Sequence, residues 1–184
     1  MPNYRRAKTE GGTYFFTVVT YQRQPFLCLD ESRAILKAAI QKTLLSLPFY
    51  VDAWILLPDH MHCLWTLPEC NSNYSTRWAL IKNEFTKNKI STEHTCARPA
   101  LSESRKRHRE CVVWQRRFWE HQIQDDLDYK RHMDYIHYNP VKHGLAQYPA
   151  DWPYSTFHRH VAQGLYEAYW GGVVPIAIDG VGHE

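Results

Sequence analysis

The stretch Asp52-Ala53-Trp54-Ile55-Leu56-Leu57-Pro58-Asp59-His60-Met61-His62-Cys63-Leu64-Trp65 decides how this chain is read. It is apolar on both sides of a tight Pro58-Asp59 junction, which predicts two strands, about 50–57 and 60–67, joined as a hairpin. Residues two apart on a strand point to the same face, so His60 and His62 project together from the start of the second strand. Two convergent imidazoles make half of a metal site. The same spacing also suits two histidines on a semi-exposed face, and the rest of the chain has to decide between them.

Upstream, Thr13-Tyr14-Phe15-Phe16-Thr17-Val18-Val19-Thr20 follows a Gly11-Gly12 turn and is rich in aromatic and β-branched residues, as a first strand should be. Asp30 is placed to cap a helix running to about Leu47 and stopped by Pro48. Downstream of the hairpin, Trp78, Ile81 and Phe85 recur at helical spacing and predict a helix over about 74–90. Strand character returns at Cys111-Val112-Val113-Trp114 and at Phe118-Trp119-Glu120-His121-Gln122-Ile123. A third helix should start near Asp125/Asp126 and end at Asn139, because the residue before a proline is pushed out of the helical region. The resulting order, β-α-β-β-α-β-α, predicts an α+β fold: a ferredoxin-like or RRM-like antiparallel sheet with helices on one face, plus a C-terminal extension.

The chain has 184 residues, enough for one domain with a real core. We read 1–170 as that domain and 171–184 as a mobile tail. The polar, aperiodic segment 91–110, with Arg98, Arg105, Lys106, Arg107 and Arg109, reads as a mobile basic insertion. No apolar run approaches the roughly 20 residues needed to span a bilayer, and the N-terminus lacks a signal-peptide pattern. The five cysteines have no C-x-x-C pairing and read as reduced thiols, which predicts a cytoplasmic protein. A formal charge of +3 is too small to argue for nucleic acid by itself.

On a helical wheel the third helix separates into stripes. Tyr129, Met133 and Ile136 form an apolar stripe that should pack on the sheet. Asp128, His132, Tyr135 and Asn139 share the adjoining stripe, where side chains can reach a neighbouring strand; Lys130, Arg131, Asp134 and His137 take the far side. Tyr135 and Asn139 are stacked neighbours four apart. A tyrosine hydroxyl, with a reference pKa of about 10, is a weak nucleophile unless activated. A divalent cation beside it can polarise a phosphate and offset the charge that builds on its oxygens. Two imidazoles and an amide oxygen suit Mg2+ or Mn2+, although imidazole also accepts zinc.

At these residues the chain resembles a known family. Leu57-Pro58-Asp59-His60-Met61-His62-Cys63 resembles the HUH motif, two histidines flanking a hydrophobic residue, and Asp134-Tyr135-Ile136-His137-Tyr138-Asn139-Pro140-Val141-Lys142-His143-Gly144 resembles the nucleophile helix of single-tyrosine HUH transposases. With Tyr4-Arg5-Arg6, Gly11-Gly12-Thr13, Arg116-Arg117-Phe118-Trp119-Glu120-His121 and Asp151-Trp152-Pro153-Tyr154-Ser155-Thr156-Phe157-His158-Arg159, the chain is similar to the REP-associated tyrosine transposases over nearly its whole length. The resemblance implies Tyr135 as nucleophile, His60, His62 and Asn139 as ligands of Mg2+ or Mn2+, and a transient 5′-phosphotyrosine link. Asn139 stands where many insertion-sequence relatives carry glutamine. The implied substrate is single-stranded DNA carrying a palindromic repeat folded as a hairpin, and the implied setting is the bacterial nucleoid.

A single-stranded partner asks for cations along its backbone and aromatic faces for its bases. Tyr4, Arg5 and Arg6, together with Arg116, Arg117 and Trp119, interleave both, and Lys142 is placed to meet a phosphate. Three other readings stand beside this one. They are a non-catalytic hairpin-binding regulator on the same fold, an HUH replication initiator or relaxase, and a zinc hydrolase built on H-x-H. Either a monomer or a homodimer fits.

Overall fold

The computed structural model describes residues 8–92 and 113–172. Its core is a four-stranded antiparallel sheet in the order β2-β3-β1-β4, with β1 Thr13–Val19, β2 Tyr50–Leu56, β3 His60–Thr66 and β4 Trp119–Gln122. Helix α1 (Asp30–Ser46) joins β1 to β2, and α2 (Tyr74–Thr92) follows β3. Helix α3 (Asp126–Lys142) follows β4, and a short α4 (Phe157–Ala162) lies near the C-terminal end of the described chain. The fold class expected from the sequence is the one observed.

The placement of the helices differs from the expectation of one covered face. Alternation along β1 and β3 sends Tyr14, Phe16, Val18, Met61, Cys63 and Trp65 into a core shared with Leu36 of α1 and with Trp78, Ile81 and Phe85 of α2. The opposite face carries Phe15, Ala53, Ile55 and Leu64, and Met133, Tyr135 and Ile136 of α3 close over it. The second face is mixed: Phe15, Ala53, Ile55 and Leu64 give it an apolar patch that needs a cover to stay dry, beside the polar Thr17, His60 and His62. The sheet is therefore sandwiched, with α3, Trp152 and Tyr166 packed on the second face.

Local chemistry explains the element ends. Asn73 accepts from the Thr76 amide at 3.1 Å to start α2, and Asp125 caps α3 by accepting from the Asp128 amide at 2.8 Å. Asp30 does not cap α1; it is the first helical residue after an N-cap at Leu29. Arg77 of α2 is buried although charged. Its guanidinium donates to the Leu47 and Pro48 carbonyls just past α1, at 3.2 and 2.8 Å, locking the two helices together.

Helix α3 does not end at Asn139. It runs through Pro140 to Lys142, with the His143 amide bonding to the Asn139 carbonyl at 3.0 Å. Proline removes one amide donor but leaves its own carbonyl, which accepts from Leu145 at 2.8 Å. A single lost bond near a helix end is a small cost against the burial of Tyr135, Ile136, Asn139 and Pro140. Val113-Trp114, expected as strand, forms an isolated bridge from Trp114 to Thr20. Tyr4, Arg5 and Arg6, most of the 91–110 segment and the tail beyond 172 lie outside the described residues.

Candidate functional site

His60 and His62 sit on central strand β3, on the face covered by α3. Both are buried, at 2% and 0% exposure, so neither is a surface histidine. Their rings lie 5.0 Å apart, centroid to centroid. Each ring has one nitrogen engaged by a neighbour: His60 Nδ1 lies 2.6 Å from Asp59 Oδ1, and His62 Nδ1 lies 2.9 Å from Thr17 Oγ1 on β1. Nε2 is then the nitrogen each ring would offer to a cation, and both Nε2 atoms are buried. Fixing Nδ1 through an outer partner orients a ligating imidazole and sets its tautomer. Burial pushes the Asp59 carboxyl up, but the bonds from His60 and from Arg23, 3.0 Å away, prevail and hold it below its ordinary value.

Helix α3 presents Tyr135 and Asn139, both buried, toward this strand. The Tyr135 ring meets His62 edge-on at 5.1 Å. Two turns further on, His143 meets His60 at 5.4 Å. Asn139 lies between Tyr135 and His143 on the same helical row, flanked by the two residues that touch the two histidines, and its Oδ1 is buried. The expected stripe is thus present. Because α3 continues through Pro140, Lys142 lies on the helix and not past it. Its Nζ is 3.3 Å from the Tyr135 hydroxyl and 4.8 Å from the ring centroid.

The other expected site residues sort by distance from this cluster. Trp119 of β4 pairs with Thr17 across the sheet and packs edge-on against Phe15 at 5.7 Å, one strand from His62. Arg116 and Arg117 are exposed just before β4. Tyr4, Arg5 and Arg6 lie outside the described residues.

Sequence reasoning missed four features. Thr17 and Asp59 hold the histidines, but nothing in an isolated threonine or aspartate marks that role. His143 was signalled by its i+4 spacing from Asn139, hidden by the expected stop at Pro140. His137, expected on the far side, is buried against Phe157 and Tyr166 at 5.6 and 5.0 Å, because the C-terminal segment folds back over α3. Finally, His121, Asp128 and His132 place three potential ligand atoms within 4.8 Å of one another.

An Escherichia coli REP-associated tyrosine transposase is 45% identical to this chain over 174 residues, covering 95% of the chain and 93% of the relative. The chain belongs to the REP-associated tyrosine transposases. A Haemophilus influenzae relative with the same family designation is 43% identical over 180 residues, covering 98% of the chain and 99% of the relative. A solved REP-associated tyrosine transposase bound to a REP hairpin superimposes with a TM-score of 0.77 at 42% identity, covering 97% of this chain and 96% of that one. No family model matches. As a REP-associated tyrosine transposase the chain belongs to a family of DNA-processing proteins, and no helix among its described residues is long and apolar enough to cross a membrane.

Proposed function

We propose that this chain is a metal-dependent endonuclease and strand transferase for single-stranded DNA, acting at palindromic repeat hairpins through a 5′-phosphotyrosine intermediate. The observation that carries the reading is the meeting of Tyr135 with His62 while Asn139, one turn on, is flanked by residues touching both histidines. Recognition of hairpins is carried over from the structural relative, which was solved with a REP hairpin.

In this reading the Tyr135 oxygen attacks a backbone phosphorus. A P–O bond forms to tyrosine and the bond to the 3′-oxygen of the preceding nucleotide breaks. The tyrosine proton leaves to solvent, and the released oxygen gains a proton as a free 3′-hydroxyl. Attack by a 3′-hydroxyl on the phosphotyrosine reverses these steps and joins strands. His60 Nε2, His62 Nε2 and Asn139 Oδ1 would hold Mg2+ or Mn2+. The donor set fits, since both imidazoles are oriented from behind by Asp59 and Thr17. The cation, when bound, supplies charge against the phosphate oxygens. Because Tyr135 is buried, DNA must displace groups that cover its hydroxyl before a phosphate can reach it, while Lys142 stays beside the oxygen. Arg116, Arg117 and Trp119 then contribute cations and a stacking face beside β4, with Tyr4, Arg5 and Arg6 contributing from the N-terminal end.

Labelled hairpin DNA incubated with the protein and Mg2+ or Mn2+ should yield a covalent adduct, and Tyr135→Phe should bind the hairpin without forming it. An adduct that persists in Tyr135→Phe refutes the nucleophile. Tight hairpin binding without cleavage under any divalent cation would make the protein a binding regulator instead.

A further inference from the structure

The cluster at the start of α3 has a chemistry that the proposed reaction does not use. His121 Nε2 lies 2.8 Å from Asp128 Oδ2, and His132 Nδ1 lies 3.0 Å from Asp128 Oδ1. Two imidazoles thus converge on the two oxygens of one carboxylate, one from β4 and one from the second turn of α3. The carboxylate is fixed independently, since Oδ2 also accepts from the Gln124 amide at 2.9 Å. Aromatic walls enclose the cluster: His121 stacks on His132 at 4.7 Å, Trp119 covers His121 at 6.0 Å, and Phe15 packs on His132 at 4.8 Å. Side-chain exposures of 34% for His121, 21% for Asp128 and 5% for His132 make a half-sheltered recess with one open side.

We propose that His121, Asp128 and His132 form a second cation site, for a borderline divalent transition metal such as zinc, that fastens β4 to the helix carrying Tyr135. Two imidazoles and one carboxylate are a common zinc donor set, and a water can complete it through the open side. Mg2+, which demands oxygen ligands, fits poorly. In the described conformation imidazole N–H groups hold the carboxylate, and His132 Nδ1 also lies 2.9 Å from the Asp128 carbonyl. A cation would take the place of the His–Asp hydrogen bonds and draw the same three side chains together. The Phe15 ring packs both on His132 and, at 5.4 Å, on His62, so it lies against both clusters, and the two sites share no ligand. The role is to hold α3 against β4 one turn before Tyr135, not to touch the phosphate.

This inference is independent of the cleavage reading, and its test removes the first site. In the full chain with His60→Ala and His62→Ala, Co2+ titration followed by visible absorption and by metal analysis after dialysis should show one tightly held ion per chain. Zn2+ should displace it and excess Mg2+ should not. Adding Asp128→Asn should weaken Co2+ binding by more than about tenfold, and so should His121→Ala, which disturbs the most exposed of the three and guards against a folding defect. The ion should also raise the unfolding temperature, an effect lost in both variants. Absence of a tight ion in the double-alanine chain, or Co2+ binding indifferent to Asp128→Asn and His121→Ala, would overturn the site and leave the three residues as a hydrogen-bonded clamp.

Discussion

Lys142 places its ammonium nitrogen 3.3 Å from the Tyr135 hydroxyl, seven residues and two helical turns away, because α3 does not stop at Pro140. In the proposed reaction the tyrosine oxygen carries charge twice, as it attacks phosphorus and as it leaves again. A cation at this distance offsets that charge in both directions. Lys142→Met should therefore slow both adduct formation and its resolution by roughly 10- to 100-fold, while hairpin affinity falls much less. Lys142→Arg should keep most of the rate. Equal losses in binding and in rate would assign Lys142 to backbone attraction only.

Thr17 reaches His62 from the neighbouring strand, and its loss should be felt as metal affinity. Thr17→Val keeps the β-branched shape in a buried strand position while removing the oxygen 2.9 Å from His62 Nδ1. The expected result is a rise of about 10- to 100-fold in the Mn2+ concentration needed for half-maximal cleavage. Saturating Mn2+ should restore the rate. An unchanged metal dependence would remove Thr17 from the site's support.

Phe15 touches His62, Tyr135, His132 and Trp119, at ring distances of 5.4, 5.8, 4.8 and 5.7 Å. It is the residue on which β3, α3 and β4 are mutually aligned. Phe15→Ala should cost about 3–5 kcal/mol in urea unfolding, through lost burial and the cavity left behind. A cost below about 1 kcal/mol would mean that α3 is held on the sheet by other contacts.

His137 and His160 are paired at 3.2 Å between α3 and α4, with Arg159 beside them. Burial, His160 and Arg159 lower the His137 pKa from its ordinary 6.5 to about 3, and burial also lowers that of His160. The unfolded chain thus binds protons in this window that the folded chain refuses. Stability should be full above pH 6.5 and fall as pH drops from there toward 3, by up to about 1.4 kcal/mol per pH unit for His137. Unfolding midpoints measured across this range should show a shallower slope in His137→Asn. An identical slope would show that His137 is not the group responsible.

Much of this architecture is legible in the chain because it rests on local periodicity. Alternation in His60-Met61-His62 places both imidazoles on one face, and the spacing of Met133, Tyr135, Ile136 and Asn139 places the tyrosine beside the apolar stripe. What escaped depends on partners distant in sequence. His137 faces inward only because residues 157–170 return to cover it. Arg77 is buried because the Leu47 and Pro48 carbonyls past α1, with Asn71 Oδ1 and the Asn73 carbonyl, accept from its guanidinium. The stop expected at Pro140 follows a sound local rule that tertiary burial overrides. The second covered face was signalled only by Phe15, Ala53, Ile55 and Leu64, apolar residues that alternate with those of the first core.

The outer edge of β2 has a consequence for assembly. Leu56 donates to the Tyr154 carbonyl and Thr156 to the Trp54 carbonyl, each at 2.9 Å, while Arg159 donates to the carbonyls of Val51 and Asp52. The chain thus occupies with its own C-terminal segment the row of groups on which another strand would grow. A second copy of the protein, or an extended peptide, cannot lengthen the sheet on this side without first peeling that segment away. His137, on the helix that carries Tyr135, is tied into the same segment through Thr156 at 3.2 Å, so such an intruder would loosen the nucleophile helix as it entered.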